Sequence, residues 1–277
     1  FESDLTVVRE ADDSFYIITA TAQQLKDFDW ISRHIPESSD AKLQDISEEF
    51  AVLSVMGPQS REKLTPLCDV DLSNESFPFG TSQIVEIAGV SVRAIRISYV
   101  GELGWELHVK SDNAVALWDA LMPIRPIGNH AISAMRIEKG YRALGHELSA
   151  GESPLEAGLG FAICWDKEFT GKSALHAQKE AGVIRRLVSF VLDDSAVILW
   201  GGEPILRGGE IAGYTSSACY SPTLGRSVAM GYIKQATPFK ASDLEAGDFE
   251  IVQLGKRYRA TPSFAAPYDP KRSKILC

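Results

Sequence analysis

Apolar and polar positions alternate from the start of the chain. Residues 5–9 and 15–20 read as two strands, and the turn formers Ala11-Asp12-Asp13-Ser14 between them predict a hairpin. The period then lengthens: Leu25, Phe28, Trp30 and Ile31 fall near helical spacing within residues 23–34, and Pro36 closes the run. A strand over 51–56 passes through Gly57-Pro58 into a helix from Gln59 to about Leu67, where Pro58 suits a first turn because its missing N–H has no intrahelical partner to lose. Strands follow at 83–88 and 90–98, joined at Gly89, and at 104–110, with helices at 113–122 and 130–144. Strand, helix, strand, strand, helix is the order of a split βαβ or ferredoxin-like layer.

From Arg185 onward the pattern changes to short strands with Gly at most corners, at 187–192, 203–206, 210–215, 227–233 and 249–254. That punctuation predicts a small all-β barrel or sandwich. The expected fold class is α+β: a ferredoxin-like or split βαβ part over residues 1–180, then a C-terminal β-barrel over 185–277, with the boundary in the polar stretch near 179–186.

Composition narrows the function classes. At 277 residues, 45% hydrophobic and 23% charged, the chain is long and apolar enough to bury a large core in more than one domain. A net charge of −9 and a pI near 5.1, with Lys and Arg scattered, argue against a nucleic-acid partner and for a small ligand or a protein. Cys68, Cys164, Cys219 and Cys277 are far apart, without a Cys-x-x-Cys pair or neighbouring His, so neither a metal site nor a disulfide framework is expected. No apolar run has the length of a membrane span, and the N-terminus lacks a secretory pattern, so a soluble protein of the cytoplasm, or of the mitochondrial matrix in a eukaryote, is expected. The chain opens at Phe1 directly into a strand, which raises the expectation of sequence upstream.

The stretch with most chemical content is Ile97-Ser98-Tyr99-Val100-Gly101-Glu102-Leu103-Gly104-Trp105-Glu106-Leu107. Two Gly residues three apart allow a tight turn between strands, with Tyr99 and Glu106 at its two mouths. A carboxylate there suits the paired N–H donors of an aminopyrimidine, and a Tyr suits stacking on its ring. By spacing alone, a solvated Glu beside a β-turn is the simpler reading. Elsewhere, Glu138 and Arg142 stand four apart and read as an i,i+4 ion pair on one helix. His130 and His146 read as structural, and Trp200 as a core or turn aromatic. Arg257 and Arg259 alternate on a strand, suited to an anionic tail or to a solvated strand edge. No Gly-x-Gly-x-x-Gly occurs.

The stretch around Tyr99 resembles the Tyr-x-Gly-Glu-x-Gly-x-Glu motif of the aminomethyltransferase family, which includes the glycine cleavage T-protein and the folate-binding halves of dimethylglycine and sarcosine dehydrogenases. The likeness extends over nearly the whole chain. Ala134-Met135-Arg136-Ile137-Glu138-Lys139-Gly140-Tyr141-Arg142 is similar to the family's Ser-Leu-Arg-Leu-Glu-Lys-Gly-Tyr-Arg helix, and Ser153-Pro154-Leu155-Glu156-Ala157-Gly158-Leu159 to the loop after it. Leu199-Trp200-Gly201-Gly202-Glu203-Pro204-Ile205 and residues 215–226 resemble its C-terminal barrel. The resemblance implies that Tyr99 and Glu106 hold a tetrahydrofolate pterin and that Arg257 and Arg259 meet its glutamate tail. It also implies that Asp4, immediately before an apolar strand as in the family's Asp-Leu-x-Val, is the catalytic acid/base.

Ile132 stands where the T-protein has an Arg, and the Glu-Lys-Gly-Tyr-Arg and Leu-Trp-Gly-Gly-Glu-Pro forms are nearer the dehydrogenases. The implied activity is one-carbon transfer to tetrahydrofolate in the folate half of an FAD-dependent dimethylglycine or sarcosine dehydrogenase-like enzyme. FAD belongs to an upstream domain, covalently linked or associated. The alternatives are a stand-alone aminomethyltransferase or folate-dependent demethylase, and a non-catalytic regulatory protein of the same fold.

Overall fold

The computed structural model describes residues 1–245 and 247–277, and its backbone divides into two compact units. One comprises residues 3–126 with 272–277, the other residues 1–2 with 127–271.

In the first unit the hairpin is β1 (Thr6–Arg9) and β2 (Phe15–Ile18), antiparallel, with Val8 opposite Tyr16. The helical period after it forms α1 (Gln24–His34), entered through a 3-10 turn at Thr21–Gln23. β3 (Phe50–Met56), β4 (Ser82–Ile87), β5 (Val90–Ile95) and β6 (Gly104–Lys110) make a sheet ordered β3-β6-β5-β4, antiparallel at each junction. α2 (Ser60–Leu64) leads from β3 at one edge to β4 at the other, and α3 (Ala114–Leu121) follows β6.

Successive strand residues point to opposite faces. Trp105, Leu107 and Val109 therefore share one face, where they pack with Leu64 of α2 and Leu117 and Leu121 of α3 in a single core. Glu106, His108 and Lys110 point the other way. The α+β layer is thus present, with both helices on one side of the sheet and β6 polar on the other.

The second unit holds α4 (Asn129–Glu138) and α5 (Lys172–Ala181), then β7 (Arg185–Leu192), β8 (Pro204–Arg207), β9 (Glu210–Ser221), β10 (Arg226–Lys234), the one-turn α6 (Ser242–Glu245), β11 (Phe249–Gln253) and β12 (Lys256–Ser263). Its six strands close into an antiparallel barrel in the order β10-β7-β12-β11-β8-β9. Val188, Phe190 and Leu192 of β7 fill the barrel with Ile205, Ala229, Phe249 and Ile251. Leu187 points outward and joins Val228, Met230 and Ile137 of α4, so the helix covers part of the barrel wall. At the register shift between Met230 and Gly231, a Cβ on Gly231 would lie 2.4 Å from the Tyr214 carbonyl oxygen, and only glycine allows that approach.

Two sequence expectations are corrected. The helix expected over 130–144 ends at Glu138, because Gly140 takes φ +62° and turns the chain. A helix forms at 172–181 where none was expected; the polar stretch at 179–182 is its last turn with Gly182 as cap.

Candidate functional site

The segment 96–103 connects β5 to β6, and the glycine within it and the one that opens β6 have different physical reasons. Gly101 has φ +72°, a left-handed conformation open mainly to glycine. Gly104 has no room for a side chain: a Cβ would stand 2.5 Å from the Val55 carbonyl oxygen on β3. Between them, the Leu103 carbonyl accepts the Gly57 N–H at 2.7 Å and the buried Ser60 hydroxyl at 2.9 Å. Val100 and Leu103 are buried, which pins the segment, while Tyr99 remains 40% exposed. Gly104→Ala is expected to destabilise the protein by about 1–3 kcal/mol through overpacking. Urea unfolding measures it, and an unchanged midpoint would remove the steric account.

Glu106 lies on the polar face of β6 with Ser54 of β3 and Ile95 of β5 opposite it. The same sheet face leaves Val52, opposite His108, and Ile84, on the edge strand β4, exposed. Two residues on, His108 is buried under the hairpin: its Nδ1 is 3.1 Å from the Tyr16 hydroxyl, and the two rings meet edge-on at 5.5 Å. Its Nε2 faces Glu106 Oε2 at 3.6 Å. Tyr16 also meets Phe50 edge-on and lies under the Arg93 guanidinium, which is paired with Glu10. Burial raises the Tyr16 hydroxyl above its ordinary pKa; Arg93 opposes the shift and Glu10 adds to it.

These contacts dock the hairpin on the sheet face that carries Glu106. Asp4 leads into β1 of that hairpin. Its surface is exposed, yet neighbouring protein atoms still raise its carboxyl above the ordinary value by desolvation. Asp4, Tyr99 and Glu106 all belong to the first compact unit.

Arg257 and Arg259 belong to the second unit, on the half of β12 that pairs with β11. Arg257 lies 3.7 Å from Glu250 and Arg259 3.2 Å from Asp248, with side chains 57% and 74% exposed. Such exposed pairs hold their arginines loosely.

The Glu138–Arg142 ion pair is not formed. The helix ends at Glu138, whose carboxylate instead accepts the hydroxyls of Ser221 and Thr223, while Arg142 donates to the carbonyls of Ala157 and Gly140. Burial and the neighbouring Arg186 lower the Arg142 pKa. The rest of that motif is likewise a set of fastenings. Arg136 pairs with buried Glu147 at 2.8 Å and donates to Ser217 at 2.7 Å, and Lys139 pairs with Asp269 at 2.6 Å. Glu203 accepts the N–H groups of Trp200 and Gly201 and the Thr215 hydroxyl, which leaves the Trp200 ring 77% exposed as a turn aromatic.

His130 and His146 are exposed, and no group of three or more His, Cys, Asp or Glu among the described residues is arranged to hold a metal ion. The four cysteines are free; burial pushes the Cys219 thiol up to about 12, which makes it a poor nucleophile. Among the described residues no helix is long and apolar enough to cross a membrane.

Sequence reasoning passed over His108 and Tyr16. The alternation that pairs His108 with Glu106 on one face was legible, but Tyr16 lies 92 residues away and nothing local marks it.

Known proteins match nearly the whole length of this chain. Residues 1–167 match the GCVT N-terminal domain and residues 185–269 the glycine cleavage T-protein C-terminal barrel domain. The mitochondrial sarcosine dehydrogenase of Homo sapiens is 36% identical over 99% of this chain and 32% of its own length, and the mitochondrial dimethylglycine dehydrogenase of the same organism 37% identical over 93% and 30%. The chain therefore spans about a third of those relatives. An aminomethyltransferase of Geobacillus thermodenitrificans is 35% identical over 93% of this chain and 70% of its own. The crystal structure of glycine cleavage system aminomethyltransferase T from Bartonella henselae superposes with a TM-score of 0.80 at 21% identity, covering 97% of this chain and 72% of that one, a likeness of fold.

Proposed function

The chain belongs to the glycine cleavage T-protein family, and from that membership we propose that it binds tetrahydrofolate and transfers a one-carbon unit to it. In this reading it is the folate-binding part of an FAD-dependent dimethylglycine or sarcosine dehydrogenase-like enzyme. The observation that carries the proposal is Glu106: a carboxylate on a sheet face where Val52 and Ile84 are exposed, with Tyr99 exposed on the segment leading into the same strand. That set of groups fits a flat, partly apolar heterocycle with paired N–H donors.

Tetrahydrofolate, when bound, supplies N5 as the nucleophile that takes the one-carbon unit. Glu106 accepts the two N–H bonds of the aminopyrimidine edge, which fixes the ring in its plane. Tyr99 stacks on that ring. Asp4 accepts the proton released at the folate amine, and its raised pKa brings its basicity nearer to that of the amine. Holding the folate beside the electrophile supplies orientation that capture of free formaldehyde lacks.

No Gly-x-Gly-x-x-Gly of the kind that cradles a dinucleotide occurs in this chain. Oxidation of the amine is assigned to a linked or associated flavin-bearing part, in the cytoplasm or the mitochondrial matrix. A second reading, a stand-alone aminomethyltransferase, is favoured by the Geobacillus relative, of which the chain covers most. Ile132 in place of the T-protein's Arg speaks against it.

Calorimetric titration with tetrahydrofolate tests the proposal. Glu106→Ala is expected to weaken binding by roughly 1–3 kcal/mol, as for other hydrogen bonds to a charged group. An unchanged dissociation constant would remove Glu106 from the site. Absence of heat at millimolar tetrahydrofolate in the unsubstituted protein would favour a non-catalytic member of the family instead.

A further inference from the structure

His108 is 1% exposed, while Glu106, two positions earlier on the same face of β6, keeps 20% of its side chain in solvent. The two imidazole nitrogens meet different surroundings. Nδ1 has the Tyr16 hydroxyl at 3.1 Å; Nε2 is shut off from solvent and has no hydrogen-bond partner. Glu106 Oε2, at 3.6 Å from Nε2, is too distant for a hydrogen bond.

The ring constrains which nitrogen carries the proton. If the Tyr16 O–H donates to Nδ1, a neutral imidazole bears its proton on Nε2 and aims a donor at the carboxylate; the other tautomer would aim a lone pair at negative charge. Arg93, stacked over the Tyr16 ring at 4.9 Å and paired with Glu10, holds the far end of this chain of groups. A buried donor left unpaired is costly, and closure by about 0.6 Å would convert the contact into a charge-assisted hydrogen bond of ordinary length.

We infer that His108 is a positioning residue for Glu106: Tyr16 fixes the His108 tautomer, and the buried Nε2–H draws the Glu106 carboxylate into the one orientation from which it receives a ligand's paired N–H groups. The inference rests on the reading of Glu106 as the pterin ligand. It adds a restraint on that carboxylate which originates in the hairpin.

Two measurements on the whole chain test it: nitrogen NMR of labelled histidine without ligand, and calorimetry with tetrahydrofolate. His108 is expected to be protonated at Nε2 and bare at Nδ1. Tyr16→Phe is expected to yield a mixture of tautomers, and Glu106→Gln to shift the Nε2 resonance. His108→Phe is expected to bind tetrahydrofolate roughly tenfold to a hundredfold more weakly, and His108→Gln, whose amide can donate, to recover most of the loss. A wild-type His108 protonated at Nδ1, or an Nε2 resonance unmoved in Glu106→Gln, overturns the inference. So does unchanged affinity in His108→Phe when Glu106→Ala is impaired. Should His108→Phe fail to fold, the Tyr16→Phe and Glu106→Gln spectra decide. If the tautomer and the shift are as expected but no variant alters folate affinity, Glu106 is removed from the folate site, the positioning role is overturned, and only the contact between His108 and Glu106 stands.

Discussion

Glu147→Ala is expected to destabilise the protein by about 3–5 kcal/mol, the usual cost of removing one partner from a buried ion pair. Glu147 is fully buried and Arg136 nearly so. One Glu147 carboxylate oxygen accepts from Arg136 at 2.8 Å and from the Ala143 N–H at 3.1 Å, and the other from the Ser216 hydroxyl at 2.6 Å. Alanine would leave a buried guanidinium, and a half-buried backbone N–H and hydroxyl, partly unpaired. Urea or thermal unfolding gives the value, and a loss below about 1 kcal/mol would mean that the pair is weakly held. No folate measurement bears on this expectation.

The second large effect concerns rate. Asp4→Asn is expected to lower the turnover of tetrahydrofolate to 5,10-methylenetetrahydrofolate by about 10²–10⁴-fold, the range for loss of a positioned base, with tetrahydrofolate affinity nearly unchanged. The assay supplies formaldehyde as the carbon source and subtracts the uncatalysed reaction. Desolvation raises Asp4, and only the carboxylate accepts a proton. Turnover should therefore fall as pH drops through a value above the ordinary one for an Asp, and that limb should vanish in Asp4→Asn. Equal turnover in the two proteins would end the assignment.

Much of this architecture was legible because the chain announces its corners. The strand expected over 104–110 is β6, residue for residue, since Gly104 opens it and the alternation from Trp105 onward is undisturbed. Gly at most corners after Arg185 gave the barrel, although β9 runs to Ser221, six residues past its expected end, because beyond the stretch paired with β8 it goes on pairing with β10. The helix at 172–181 escaped notice because its last turn, Lys179-Glu180-Ala181-Gly182, is polar enough to read as a linker.

Among the polar groups, those answered by neighbours on the same strand were readable, and those answered from far away were not. Spacing offered Arg142 as the partner of Glu138, but the actual partners, Ser221 and Thr223, lie on and just beyond β9. Tyr16 and His108 meet only because a hairpin folds over a sheet.

That hairpin has a further consequence. A ribbon of two strands, each only four residues long, has little stability of its own in water. What orders it is the surface beneath: an imidazole, a guanidinium and the edge of Phe50, supplied by β6, β5 and β3. Those three strands must already lie side by side before the ribbon has anything to rest on. Order in the hairpin is thus tied to the integrity of the sheet it covers.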